Sequence, residues 1–451
     1  MRGRVAAGRN GFTVLRVGCV DLYGLPVTGG SDAVAAYNRG IGHLLRLEQG
    51  SLHAVAASVA LDPTFALGHA ALALLGHELC APVDVEARLR DAELHARKGT
   101  DRERSHVHAV SCHVGGRSDP LVRHLRDFPR DALLLSVAVP TIAFAGVTTV
   151  PRDAWEIVER CAPAYGEDWW FGGLLAFVRQ EQGRFDEAME LSCRSLDVEP
   201  GAGHSAHARS HAHYETGDHR GGLRWMDGWI TGAGTHVDSL SHFSWHAALH
   251  ELSLGDLDAV RRRYESQLLP RPGLGCRNLV DSGSLLWRWA ITPGSARVPG
   301  IDDLLRVVDD TLVREPETPF IAMHAAVALC AAEDAAGLAT LERSCRSRAD
   351  STHAEVVAPL ARALRRLVRG DPSGAADALA RLQPQLWRVG GSDAQREVVE
   401  ETRICALLRA GRTAEARALI DRRMDRRPCR RDRWWRAQAA LTDTLQGGSG
   451  D

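Results

Sequence analysis

This sequence predicts an all-α fold, a superhelix of antiparallel helix pairs, on three observations. From Ser31 onward apolar residues recur with helical period, and strand-like alternation runs over no useful length. Short glycine-bearing turns punctuate the helices, among them Glu181-Gln182-Gly183-Arg184, Glu215-Thr216-Gly217-Asp218 and Arg409-Ala410-Gly411-Arg412. Their spacing repeats: 17 residues separate Gly183 from Pro200 and Gly411 from Pro428, and 34 separate Gly183 from Gly217. A period of about 34 is that of a tetratricopeptide repeat, in which each helix pair buries its apolar face only by stacking on its neighbours.

Taken in order, residues 1–30 read as an irregular lead-in that ends Gly24-Leu25-Pro26-Val27-Thr28-Gly29-Gly30. Ser31 is placed to cap the first helix. The first pair is Ala33–Leu47 and Ser51–Leu61, split by Glu48-Gln49-Gly50 and closed by Asp62-Pro63. Gly172, Leu175, Ala176, Gly183, Ala188 and Pro200 make one good repeat match, whereas Gly217 to Gly255 spans 38 residues and departs from the period. Pair boundaries fall near Gly50, Gly183, Gly217, Gly255, Gly370 and Gly411, with seams at Gly146–Pro151 and Pro270–Gly275 and a loop at Pro293–Pro299. The expected organisation is one helical-repeat domain over residues 31–446, with histidine-rich central repeats at 200–335 and a flexible tail at 447–451.

With 451 residues, 45% of them hydrophobic, the chain can bury a large core without disulfides or metals. Its 55 basic and 57 acidic residues leave a net charge of −2, so no overall field favours nucleic acid or an anionic membrane. Lys98 is the only lysine, a bias that reflects base composition before function. The ten cysteines stand singly, without C-x-x-C or zinc-finger spacing. No secretory or membrane-spanning segment is read, which points to a cytoplasmic protein. A phosphate loop, a dinucleotide-binding glycine motif, a G-x-S-x-G elbow and the kinase motifs are all absent.

Chemistry concentrates between His204 and His250, where nine of the 20 histidines lie. His204, His207 and His211 share one helical face, and His242, His246 and His250 share another. First helices of such pairs line the concave side, so His207, His211, His242, His246, Asp281, Arg288 and His324 are expected to converge as catalytic groups. Trp245, Trp287 and Glu215 would complete the substrate-binding wall. His213, His219 and His236 fall off the stripes and read as surface or turn residues. His106 and His108 read as part of a helix start with a surface ion pair, and Trp169-Trp170 and Trp434-Trp435 as packing anchors. The arginine-rich run Arg409–Arg436 reads as a solvated face of the last helices.

Three uses of the histidines stay open. Imidazoles titrate near neutrality, so the pocket could act on a small polar or aromatic molecule by acid/base chemistry without a cofactor, as in a tailoring step of specialised metabolism. Asp281 or Glu215 would orient an imidazole and Arg288 would hold an anion. Alternatively, the pairs His207/His211 and His242/His246 could ligate a divalent metal such as zinc, although the glutamate of an HExxH motif is missing. The third use is a buried network that satisfies itself. A non-catalytic groove that grips a peptide segment of a partner is the other functional class. The superhelix is open, or closed around a central concave pocket.

The chain also resembles the tetratricopeptide repeat protein 38 family through most of its length. The stretches that carry the resemblance are Asp21–Pro26, Asp62–Ala70, Arg102–His106, Phe128–Leu133, His207–His211 with Glu215 and Gly217, His242–Leu249, Asp281–Arg288 and Phe320–Ala325. Ser244 stands where the family pattern has a second aromatic, which would open that wall. The resemblance implies the helical-repeat fold and no particular activity.

Overall fold

The computed structural model describes residues 19–79, 81–139, 150, 152–272 and 274–447. Residues 1–18 of the lead-in, most of the Gly146–Pro151 seam and residues 448–451 of the tail lie outside the described residues. The described chain is all-α apart from one two-stranded ribbon, a succession of packed helix pairs. Its helices are α1 (Ser31–Arg46), α2 (Ser51–Leu61), α3 (Ala66–Glu78), α4 (Val85–Ala96), α5 (Asp101–Val114), α6 (Asp119–Asp127), α7 (Ala132–Val137) and α8 (Glu156–Tyr165). There follow α9 (Trp169–Glu181), α10 (Phe185–Val198), α11 (Gly203–Glu215), α12 (His219–Thr231), α13 (Leu240–Leu254), α14 (Leu257–Arg263), α15 (Ser284–Ala290) and α16 (Asp302–Val307). The last are α17 (Asp310–Arg314), α18 (Pro319–Ala331), α19 (Ala335–Ser347), α20 (Ala358–Val368), α21 (Pro372–Leu382), α22 (Asp393–Arg409), α23 (Thr413–Arg426) and α24 (Arg430–Gly447).

The lead-in is not wholly irregular, because Cys19–Val20 and Pro26–Val27 pair as a short antiparallel ribbon, β1 and β2. Gly30, not Ser31, caps α1, and its N–H is taken by Asp62 Oδ2 at 2.9 Å. Elsewhere helix starts follow the expected chemistry: Asp218, Asp256, Asp334 and Asp371 each accept a backbone N–H three residues on. Thr100 with Glu103 and Ser392 with Gln395 form reciprocal capping boxes.

The turn glycines located in the sequence all adopt left-handed backbone, including Gly217 (φ 75°) and Gly255 (φ 73°). At these two positions closeness matters as well as φ. A Cβ on Gly217 would meet Pro428 Cδ at 2.7 Å and one on Gly255 the Trp434 ring at 2.5 Å, so the bare turns let the last helix come down on them.

Inner and outer helices differ in burial as the repeat logic requires. In α11 all residues but Arg209 and His213 are buried, whereas α10 buries only Ala188, Ser192 and Ser195. The apolar interior forms two clusters. The N-terminal one takes Ala206 and Ala208 of α11 with Phe243 and Ala247 of α13. The C-terminal one takes Tyr214, Trp245, Ala248 and Leu249 from the same two helices. The histidine stripes thus lie on the elements where both cores meet.

The superhelix closes on itself through α22. Its N-terminal turn binds Glu181 of α9 through the Asp393 N–H (3.3 Å) and Arg396 (3.3 Å). Tyr214 of α11 donates to Glu397 at 2.8 Å, and on α15 Trp287 Nε1 donates to Thr402 (2.8 Å) while Arg288 pairs with Glu401 (3.0 Å). A helix of this chain therefore lies along the inner helices, where a repeat scaffold would take a peptide.

Candidate functional site

The two histidine stripes meet face to face. The Nε2 atoms of His211 and His207 are 3.1 Å apart, those of His207 and His242 are 3.2 Å apart, and those of His242 and His246 are 3.2 Å apart. Donor nitrogens of His207, His211 and His246 all lie within 4.8 Å of one another. On its other edge His242 donates Nδ1–H to Asp281 Oδ1 at 2.7 Å, and Ser241 Oγ donates to Asp281 Oδ2 at 3.1 Å. Aromatic rings wall the cluster: Phe177 stacks on His207 (5.3 Å between centroids) and Trp245 on His242 (5.3 Å).

Burial sets the protonation state of these rings. His211 is driven down to about 3 by desolvation and by His242, and His204, with no polar partner on either nitrogen, to about 4 by desolvation alone. His207 and His246 fall well below the ordinary imidazole range for the same two reasons, desolvation first and neighbouring imidazoles second. Near neutral pH these rings are uncharged and present lone pairs.

Other expected site residues are drawn away from the cluster. Asp281 lies in a π-helical stretch, Asn278–Gly283, that runs into α15. That wider turn breaks the seven-residue register, so Asp281 faces His242 while Arg288 faces α22. Arg288 is fully buried and spent on Glu401, the Ala394 and Gln395 carbonyls and Ser284, so its guanidinium is not held out to an anion. Glu215 pairs with Arg427 at 2.6 Å, and burial, opposed by Arg427, pushes its carboxyl up to about 7. Trp287 packs in the core, and His324 donates Nδ1–H to the Phe320 carbonyl at 2.9 Å, its Nε2 buried without a partner. Burial holds His324 down to about 4. Ser244 opens no wall, because it is fully buried with an unpartnered hydroxyl.

Three features differ from the expectations outside the stripes. His219 is buried, not a surface residue, with its Nδ1 3.2 Å from that of His250. His106 is fully buried: Asp131 Oδ2 accepts from His106 (2.8 Å), His124 (3.1 Å) and Arg102 (2.9 Å), and Arg102 also binds Asp21 (2.7 Å). Burial would raise the Asp131 carboxyl, but His106 and Arg102 hold it well below the carboxylate range. The quoted stretches containing Asp21, Arg102–His106 and Asp131 converge here, through Asp131 as hub. Finally, the arginine run is not wholly solvated: Arg423, Arg427 and Arg431 are buried against Glu397, Glu401, Glu215 and Asp432. Glu397 and Glu401, spaced i, i+4 on one face of α22 with Glu400 beside them, are the sequence signal for that network.

The surface opens elsewhere. A cleft of about 1360 Å³ lies between the Gly217 and Gly255 turns and α24. Leu223, Leu254, Leu257, Trp434 and Leu441 give it apolar surface, and Arg220, Arg224, Arg430 and Arg433 reach it from the exposed side. The Arg430 guanidinium lies over the Trp434 ring at 5.3 Å. Of its acids, Asp218 and Asp256 are engaged in capping α12 and α14.

No protein-family model matches the chain. Among solved structures it is similar to yeast Tom70, with 12% identity over 93% of this chain and 90% of that one and a TM-score of 0.33. It is also similar to the TPR domain of P58(IPK), with 14% identity over 83% of this chain and 88% of that one and a TM-score of 0.21. Among the described residues no helix is long and apolar enough to cross a membrane.

Proposed function

We propose that this protein, a helical-repeat chain resembling the tetratricopeptide repeat protein 38 family, is an interaction scaffold that takes a peptide segment of a partner in the α24 cleft. The observation that carries the reading is the division of its surfaces. The inner face is engaged by α22, and the histidines are enclosed, while the cleft is open and combines apolar side chains with four exposed arginines. With two of three acids engaged in helix capping, the cleft favours a segment with an acidic and an apolar side chain. Trp434, under Arg430, would be its central contact.

Fluorescence polarisation against a library of labelled peptides tests this. Acidic–apolar peptides should be selected over basic ones, binding should weaken at least about tenfold in Trp434→Ala, and salt should weaken it further. Binding unchanged in Trp434→Ala and in Arg430→Glu/Arg433→Glu would refute the assignment. The small-molecule acid/base reading lacks such support, because Arg288, Glu215 and Trp287 are engaged in packing the interior against α22 and the last helices.

A further inference from the structure

We infer that His207, His211, His242 and His246 form a binding site for one divalent transition-metal ion, held between α11 and α13 through their Nε2 atoms. A ring nitrogen carries either one proton or one lone pair. The three Nε2 contacts form a chain, His211–His207–His242–His246, in which His207 and His242 each face two neighbours. Each can serve one neighbour well, so at most two of the three contacts are good hydrogen bonds. His242 is constrained further, because Asp281 takes its Nδ1 proton and leaves Nε2 as a bare lone pair. Protonating the cluster is no remedy in so buried a place. A cation among His207, His211 and His246, whose ligand nitrogens all lie within 4.8 Å of one another, satisfies their lone pairs at once, and His242, 3.2 Å from His207 and from His246 but outside that set, joins as fourth ligand by a shift of its ring.

The spacing fits coordination. Neighbouring imidazole nitrogens 3.1–3.2 Å apart, as His211–His207, His207–His242 and His242–His246 are, subtend about 100° at a zinc ion about 2.0–2.1 Å from each, between the octahedral and tetrahedral angles. His242–Asp281, at 2.7 Å, is the carboxylate–imidazole arrangement that fixes a ligand's tautomer and raises its basicity. An all-imidazole donor set suits zinc, copper, nickel or cobalt and disfavours calcium or magnesium. The place in the fold suggests the use. α11 and α13 each contribute to both apolar clusters, so an ion joining them ties the two halves of the core together.

The second grouping of ligand-type side chains, His106, His124 and Asp131, carries no such inference. There the carboxylate already accepts from both imidazoles and from Arg102, whose positive charge disfavours a cation.

The test uses full-length protein without an affinity tag, made in zinc-supplemented medium, desalted and assayed by plasma mass spectrometry. About one zinc per chain is expected, lost in His207→Gln/His211→Gln and kept in His250→Gln, which alters a neighbouring histidine outside the set. Protein made with cobalt should show the visible absorption of a nitrogen-ligated ion, lost in His246→Gln. Asp281→Asn should keep the stoichiometry at saturation while weakening affinity about 10–100-fold, a readout that survives if the double variant fails to fold. Parent protein with less than about a tenth of an equivalent of metal, or a folded His207→Gln/His211→Gln variant that keeps the parental content, overturns the site. Unchanged affinity in Asp281→Asn overturns the supporting role of that carboxylate.

Discussion

Glu397→Gln tests whether α22 closes the superhelix as described. The Glu397 carboxylate is buried and accepts from Tyr214 (2.8 Å), Arg423 (2.8 Å) and Arg426 (2.8 Å), with Arg427 closer still. Burial alone would raise its pKa, but Arg423 and Arg427 hold it well below the ordinary range, so the group is an anion near neutral pH. An amide keeps the shape and removes the charge, leaving Arg423 and Arg427 buried with less compensation. Removing one partner of a buried pair costs about 3–5 kcal/mol. In a chain of this size that corresponds to a fall in Tm of roughly 3–5 °C. The matched control is Glu415→Gln, whose pair with Arg412 (2.7 Å) is exposed and should move Tm by less than about 1 °C. Thermal melts give the comparison, and hydrogen exchange locates it: amides of α22 should lose protection first in Glu397→Gln. A shift no larger than that of Glu415→Gln, or unchanged exchange in α22, would refute the closure argument.

Acid should unfold the protein in a predictable window. His204, His219 and His324 are held down to about 4, burial being the first cause in each and Arg427 adding to it at His219. Their folded values lie below the unfolded value of 6.5, so the unfolded state binds more protons between about pH 6.5 and 4. Their contribution is fully present above pH 6.5 and is lost as pH falls, at about 1.4 kcal/mol per pH unit for each group. Urea midpoints from pH 7.5 to 5 should drop steeply below pH 6.5, and a flat profile would contradict the buried, neutral state of these rings. Gly255→Ala should destabilise by about 1–3 kcal/mol, because its φ of 73° disfavours a side chain and the new Cβ would meet the Trp434 ring at 2.5 Å. A melting temperature equal to the parent's would show that α24 does not rest on that turn.

The helix-pair architecture was legible because it rests on local signals. Turn glycines need a left-handed φ that other residues resist, and every pair boundary read from them is a turn in the structure. The histidine stripes were legible for the same reason, since spacings of three and four residues place side chains on one helical face. The direction of Arg288 was not, because a π-helical stretch between Asp281 and Arg288 shifts the register that a regular helix would keep. Nor was the engagement of Glu215 and Trp287 with the last helices, which depends on contacts across 212 residues for Glu215 and Arg427 and 115 for Trp287 and Thr402. His219 and His106 looked like surface residues because their partners, His250 and Asp131, are brought beside them only by helix packing. Arginine-rich helices likewise resemble a solvated face until the buried glutamates that face them are placed.

Anomalous diffraction from crystals of untagged protein grown with zinc tests the histidine centre most directly. The expected result is one strong peak between α11 and α13, about 2.0–2.2 Å from ring nitrogens of His207, His211 and His246, with the His242 ring drawn in as fourth ligand and Asp281 still bonded to its Nδ1. A map with no anomalous density among these four rings, from protein that carries zinc elsewhere or none at all, would contradict it.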